Sequence, residues 1–249
     1  MKTYQGKISV IVPAYNEGDH LFNSLSEMIQ ILDDIARDYE IIVVDDGSID
    51  NTQAEAKRAG ADFDHIQVVR HEPNFGKGEA LRYGYGFANG DLVAFLDADL
   101  DLHPSQLAVL YQYMQEKGAD VVIGSKRHPL SEIDYPAKRK IVSDVYYFII
   151  KLLFGLPVRD TQTGIKLFKN EVLAQVFPRL LVKRYAFDLE LLVNAHRLGY
   201  KIIEAPITLD FLREISRIRI RDIIVVWLDT MAIFYRTYIL HYYDRKGEE

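Results

Sequence analysis

Over residues 1–100 the chain alternates short β-branched apolar runs with longer amphipathic segments, a rhythm few folds can satisfy. Residues 8–12 form an apolar run closed by Pro13. The segment after it carries Leu21, Leu25, Met28, Ile29, Leu32 and Ile35 at three- and four-residue spacing, one face of a helix. Residues 40–44 predict a second strand, followed by a polar helix stopped by Gly60. Residues 66–69 predict a third strand, 76–88 a helix and 92–96 a fourth strand. Strands joined through helices pair in parallel and are covered on both faces, so they read as continuous apolar runs, as these do. The second half is less regular. A strand over 120–123 leads into Gly124-Ser125-Lys126-Arg127, helices are expected over 141–154 and 187–198, a strand over 202–205, and a last helix from about Arg221. The expected division is a catalytic domain over 1–215 and a helical extension over 216–249.

Composition narrows the function. With 249 residues, 49% of them hydrophobic, the chain can bury one sizeable core. A formal net charge of −6 and a pI near 5.7 argue against a nucleic-acid footprint. The absence of cysteine excludes disulfides and thiolate metal sites. Residues 1–7 lack a long apolar run, so a cytoplasmic location is expected. Two segments approach the length of a membrane span. Residues 141–154 are broken by Asp144 and Lys151, and 223–240 by Asp229, Thr230, Arg236 and Thr237. A carboxylate in mid-span costs about 2.5–3.5 kcal/mol. Both segments therefore read as interfacial helices, with Lys138, Arg139, Lys140, Arg217, Arg219 and Arg221 nearby to meet anionic lipid. The alternative is that they pack on the sheet or on a second copy in a homo-oligomer.

Ligands of open α/β sheets collect beyond the carboxyl ends of the strands. Those ends carry Pro13-Ala14-Tyr15-Asn16-Glu17, Asp45-Asp46-Gly47-Ser48 and Asp97-Ala98-Asp99-Leu100-Asp101. If the extended geometry persists past Leu96, then Asp97, Asp99 and Asp101 share one face. Clustered carboxylates call for a hard cation such as Mg²⁺ or Mn²⁺, which binds one or two carboxylates together with substrate phosphates. The plainer alternative is an acidic loop capping the helix near Pro104. No G-x-G-x-x-G follows the first strand, so the usual dinucleotide fingerprint is absent.

Several segments in matching order across residues 7–213 resemble the family 2 glycosyltransferases of the GT-A fold. They are Ser9-Val10-Ile11-Val12-Pro13-Ala14-Tyr15-Asn16-Glu17, Ile42-Val43-Val44-Asp45-Asp46-Gly47-Ser48 and Asp97-Ala98-Asp99. Arg159-Asp160-Thr161-Gln162-Thr163-Gly164-Ile165-Lys166-Leu167-Phe168 and Arg184-Tyr185-Ala186-Phe187-Asp188-Leu189-Glu190-Leu191-Leu192 narrow the resemblance to the polyprenyl-phosphate sugar synthases. The resemblance implies an α/β, Rossmann-like mixed sheet, mainly parallel and flanked by helices, with C-terminal amphipathic helices. It implies that Pro13, Ala14, Tyr15, Glu17, Val44 and Asp46 hold the nucleotide, and that Asn74, Gly76 and Lys77 face the diphosphate. Asp97 and Asp99 would bind the divalent cation, with Asp101 a third ligand, and Ala98 would bring backbone close to the sugar nucleotide. Lys126, Arg127 and Arg139 would gather the acceptor phosphate. Arg213 or Arg217 would supply charge where relatives carry a Gly-x-Ser-Lys segment that this chain lacks. Asp188 would bind sugar hydroxyls or orient a cation, and Asp160 and Gln162 would line the same pocket. Asp97, Asp99, Asp188 and Arg139 are thus the implied catalytic set.

The implied reaction is inverting transfer of a hexose from a nucleotide sugar to a polyprenyl or dolichyl phosphate at the cytoplasmic face of a membrane. UDP-glucose is favoured as donor, ahead of GDP-mannose and UDP-N-acetylglucosamine. The alternatives are transfer to a glycan or other hydroxyl with Asp188 as base, and a non-catalytic sugar-nucleotide-binding protein.

Overall fold

A computed structural model describes residues 4–131, 137–209 and 220–245, with side chains from residue 144 onward in the second segment and from residue 224 in the third. Strands β1 (Tyr4–Ala14), β2 (Ala36–Asp45), β3 (Ile66–Arg70) and β4 (Leu92–Phe95) alternate with helices α1 (Leu21–Ile35), α2 (Thr52–Asp62) and α3 (Lys77–Tyr85). Then follow α4 (Gln106–Lys117), β5 (Val121–Ser125), α5 (Ala137–Phe154), β6 (Lys166–Lys169), α6 (Asn170–Val176), α7 (Phe187–Arg197), β7 (Ile202–Pro206), α8 (Ile220–Tyr238) and α9 (Tyr242–Arg245). The seven strands are ordered β3-β2-β1-β4-β6-β5-β7. All neighbours pair in parallel except β6, which is antiparallel to both β4 and β5. The mixed, mainly parallel sheet is the one the motifs implied.

Alternation along the buried strands feeds two cores. Val10, Val12, Ile41 and Val43 meet the apolar stripe of α1 (Leu21, Leu25, Met28, Leu32) on one face. Ile11, Ile42 and Val44 meet Ala80 and Leu81 of α3 on the other, and that core continues to Phe187 and Leu191 of α7. Each fully buried leucine or isoleucine contributes roughly 1.5–3 kcal/mol, so the sheet edge above these layers is a firm base for loops.

Two expectations are corrected. Helix α2 runs through Gly60 to Asp62; the missing side chain suits this position because a Cβ would lie 3.2 Å from Val68 Cγ2. Strand β6 was not anticipated. Lys-Leu-Phe-Lys is short and charged at both ends, and it inserts as a strand only because β4 and β5 offer unpaired edges on either side.

The C-terminal helices are tied to the body by Glu190, which is fully buried in α7. One of its oxygens accepts from the Leu181 and Val182 N–H groups at 2.9 and 2.7 Å. The other meets Arg236 of α8 at 2.8 Å and the hydroxyl of Tyr243 in α9. Helices α5 and α8 touch through Tyr146 and Thr230 and through the rings of Phe154 and Phe234. Among the described residues no helix is long and apolar enough to cross a membrane.

Candidate active site

The loops after β1 and β2 form one unit. Asn16, at φ 56°, donates its N–H to Ser48 Oγ at 3.0 Å, and its Oδ1 accepts from the Ile49 N–H. The Glu17 N–H donates to Thr52 Oγ1 at 2.8 Å, and the Asp46 N–H to the Ala14 carbonyl at 2.9 Å. Pro13 and Val44 are register partners, so Pro13, Ala14 and Val44 make a floor from which Tyr15 stands exposed.

Asp46 is buried, and both its oxygens work inside the protein. Oδ1 accepts from the Phe75 N–H at 3.0 Å and lies 3.1 Å from His71 Nδ1, while Oδ2 accepts from the Gly76 N–H at 2.8 Å. Gly76, at φ 100°, adopts a backbone conformation that L side chains avoid. Asp46 therefore fixes the Asn74–Gly76 loop and sets Lys77 at the start of α3.

The carboxylates after β4 do not keep strand geometry. The strand ends at Phe95, the chain turns at Ala98 and Asp99, and the Asp101 N–H donates back to Asp99 Oδ1 at 3.2 Å. Leu100, at φ 58°, completes the reversal. The expectation of three acids on one extended face is thus replaced by a local turn, because a short carboxylate captures the N–H two residues on.

Their electrostatics differ sharply. Burial works against the Asp97 carboxylate, but the ammonium groups of Lys77, Lys166 and Lys126 outweigh it and hold its pKa low. Asp99 has no such help: burial, then Asp97 and Asp101, with Glu17 behind them, push it up to about 6. Lys77 pairs directly with Asp97 Oδ1. From the far side, Gly164 presses on the same carboxylate; a Cβ there would lie 2.0 Å from Asp97 Oδ2.

Hard oxygen donors beside an acid that resists ionisation fit a divalent cation. Among the described residues no three His, Asp or Glu side chains gather into a metal-holding group, so such an ion would complete its shell with ligand oxygens.

The opposite wall begins at the end of β5. The Lys126 N–H donates to Asp160 Oδ2 at 3.1 Å and the Gln162 N–H to Asp160 Oδ1 at 3.2 Å. Glu204 Oε1 accepts the Arg159 and Asp160 N–H groups at 2.7 and 3.0 Å. Sequence reasoning missed Glu204; the available signal was an acid inside the apolar run Ile202-Ile203-Glu204-Ala205. Arg127 pairs with Asp144 of α5, and its guanidinium lies 5.3 Å from the Tyr147 ring centroid. Asp188, in the first turn of α7, pairs with Lys166 at 2.8 Å. The Arg139 side chain, and Arg213 and Arg217 entirely, lie outside the described residues.

A family model described as glycosyl transferase family 2 matches residues 9–177. The chain is 30% identical over 203 residues to glycosyltransferase AglD of Haloferax volcanii, covering 81% of this chain and 32% of the relative. It thus spans about a third of AglD. It is also 30% identical over 254 residues to dolichyl-phosphate beta-glucosyltransferase of Dictyostelium discoideum, covering 88% and 76%. The fold is similar to that of glucosyl-3-phosphoglycerate synthase from Mycobacterium tuberculosis, solved with Mn²⁺, uridine diphosphate and glucosyl-3-phosphoglycerate. The TM-score is 0.68 at 23% identity, over 92% of this chain and 79% of the other.

Proposed function

The chain belongs to glycosyl transferase family 2, and on that premise we propose that it moves a hexose, glucose from UDP-glucose by preference, onto a polyprenyl phosphate with inversion. The observation that carries this reading is the position of Lys126 and Arg127. The Lys126 charge is felt at Asp97, while Arg127 is paired to Asp144 on α5. An acceptor phosphate held by these cations would lie between the carboxylates of the donor site and a helix that exposes Phe148 (66%) and Leu152 (74%). On α8, Leu228 is 61% exposed and Trp227 42%. Such faces suit a lipid surface, with the aromatic groups at the wet boundary, and support peripheral attachment at a cytoplasmic membrane face.

Phosphate chemistry fits the residues present. A phosphate monoester oxygen is largely anionic near neutral pH, so the nucleophile needs gathering and aiming more than deprotonation. Lys126, Arg127 and Arg139 are assigned to gathering, with Arg213 or Arg217 as further cations. Asp188 has one oxygen occupied by Lys166, which supports an orienting role over the proton-accepting role that a hydroxyl acceptor would require. On the donor side, Tyr15 and Glu17 are assigned to the nucleotide, and Lys77 and the N-terminus of α3 to the diphosphate. Asp97 and Asp99 would hold Mg²⁺ or Mn²⁺, with ligand oxygens rather than Asp101 completing the shell. The bound ion would supply positive charge to the departing diphosphate.

The names of the relatives support the dolichyl-phosphate class of acceptor and the glucosyl donor. The test is incubation with a panel of nucleotide sugars, Mg²⁺ or Mn²⁺, and either a short polyprenyl phosphate or a soluble glycan. Glucolipid from UDP-glucose is expected. Transfer to the glycan with no glycolipid from any donor would overturn the assignment.

A further inference from the structure

We propose that Lys166 is a positioning residue of this site, holding Asp188 and the Thr163–Gly164 turn in fixed relation to Asp97. The assignment deepens the transferase reading above and rests on it. Lysine is almost never fully buried without a partner, yet Lys166 is 1% exposed. It owes this place to the antiparallel insertion of β6, whose first residue lies beside the last residue of β4 and the middle of β5. Lys166 is register partner to Phe95 of β4 and to Ile123 of β5. Its ammonium lies 2.8 Å from Asp188 Oδ1 and donates to the Thr163 carbonyl. The next residue, Gly164, is the one pressed against Asp97.

Lys166 therefore joins three segments: its backbone pairs with the strand that leads to Asp97, and its ammonium holds the turn packed on Asp97 and the first turn of α7. A buried ion pair is seldom more stabilising than a well-packed apolar pair, so stability alone is a poor reason for lysine at the centre of a sheet. Placement is a better one. With Oδ1 held by Lys166, Asp188 presents its remaining oxygen in one orientation, suited to hydroxyl groups of the donor sugar. The carbonyl bond at Thr163 keeps Gly164 against Asp97.

The test compares wild type, Lys166→Met, Asp188→Asn and the double variant, in sugar transfer and in calorimetric binding of UDP with Mn²⁺. Lys166→Met is expected to lower kcat by about 100-fold, the scale of an ångström-level misplacement, while UDP binding stays near wild type. Because Lys166 acts partly through Asp188, the loss in the double variant should be smaller than the product of the two single losses. A double-variant loss equal to the full product of the single losses, or an unchanged kcat in Lys166→Met, overturns the proposal. Should Lys166→Met fail to fold, a crystal structure of the charge-free double variant decides it by the position of the Thr163–Gly164 turn. A crystal structure of a Lys166 variant gives a readout independent of activity. The Thr163–Gly164 turn is expected to shift from Asp97, and an unmoved turn counts against the assignment. If wild type glycosylates no acceptor, the functional reading falls, and that structure still judges Lys166.

Discussion

The Lys77 ammonium rests on Asp97 Oδ1, joining the first turn of α3 to the loop after β4. Burial disfavours the charge, but Asp97, Asp188 and Asp99 together raise the lysine pKa, so it stays a cation. Lys77→Met is expected to weaken UDP binding in Mn²⁺ by about 10- to 100-fold, the worth of one charge-assisted hydrogen bond. Isothermal titration measures it; binding equal to wild type would mean that Lys77 serves Asp97 alone.

Asp99→Asn should separate stability from function. The folded carboxyl titrates near 6 against an ordinary value of 3.8. Between those values the folded state binds more protons than the unfolded one, so stability falls as pH rises through the window. The penalty is complete above about pH 6 and absent below about pH 4. Removing the charge should therefore stabilise the metal-free protein at pH 7–8 by about 1–2 kcal/mol after screening. That is a melting-point gain of roughly 2–8 °C, which fades on acidification. Transfer should be lost in the same variant. Thermal melts across pH check the sign, and a lower melting point at pH 8 would refute it.

Gly164→Ala should damage activity more than folding. The added methyl would meet Asp97 Oδ2 at 2.0 Å, forcing the carboxylate or the turn aside. A displacement of about 1 Å can cost roughly 100-fold in rate. Steady-state kinetics beside circular dichroism would detect this, and wild-type kcat with Mn²⁺ would contradict it.

Phe148→Ser with Leu152→Ser tests the apolar face of α5. Both side chains are exposed, so the folded state loses little. Each buried methylene contributes about 0.8 kcal/mol to insertion in lipid, so partition onto anionic vesicles should drop by at least about tenfold. Cosedimentation with liposomes measures this, with transfer to a water-soluble short-chain acceptor as the control. Equal partition of the two proteins would exclude this face.

The first four strands were legible because covered parallel strands need continuous β-branched runs, and the chain supplies them. The grouping of the acids at their ends was legible because topology gathers those ends. What escaped was set by distant partners. Lys166 reads as a surface lysine until Asp188 is placed beside it, and Glu204 reads as an edge residue until the Arg159–Asp160 backbone turns towards it. Asp46 was legible as important, but its engagement with Phe75 and Gly76 depends on a loop whose path its neighbours do not encode. The alternation of Asp97, Asp99 and Asp101 misled because a carboxylate that accepts an N–H two residues on ends an extended chain.

Glu190 has a mechanical consequence. It stands two residues from Asp188 in α7 and grips α8 through Arg236 and α9 through Tyr243. The C-terminal helices thus act as a keel: tilt them, and the carboxylate at the head of α7 tilts too. On the proposed reading, the depth of α8 in a lipid surface would then bear on where Asp188 sits relative to the donor.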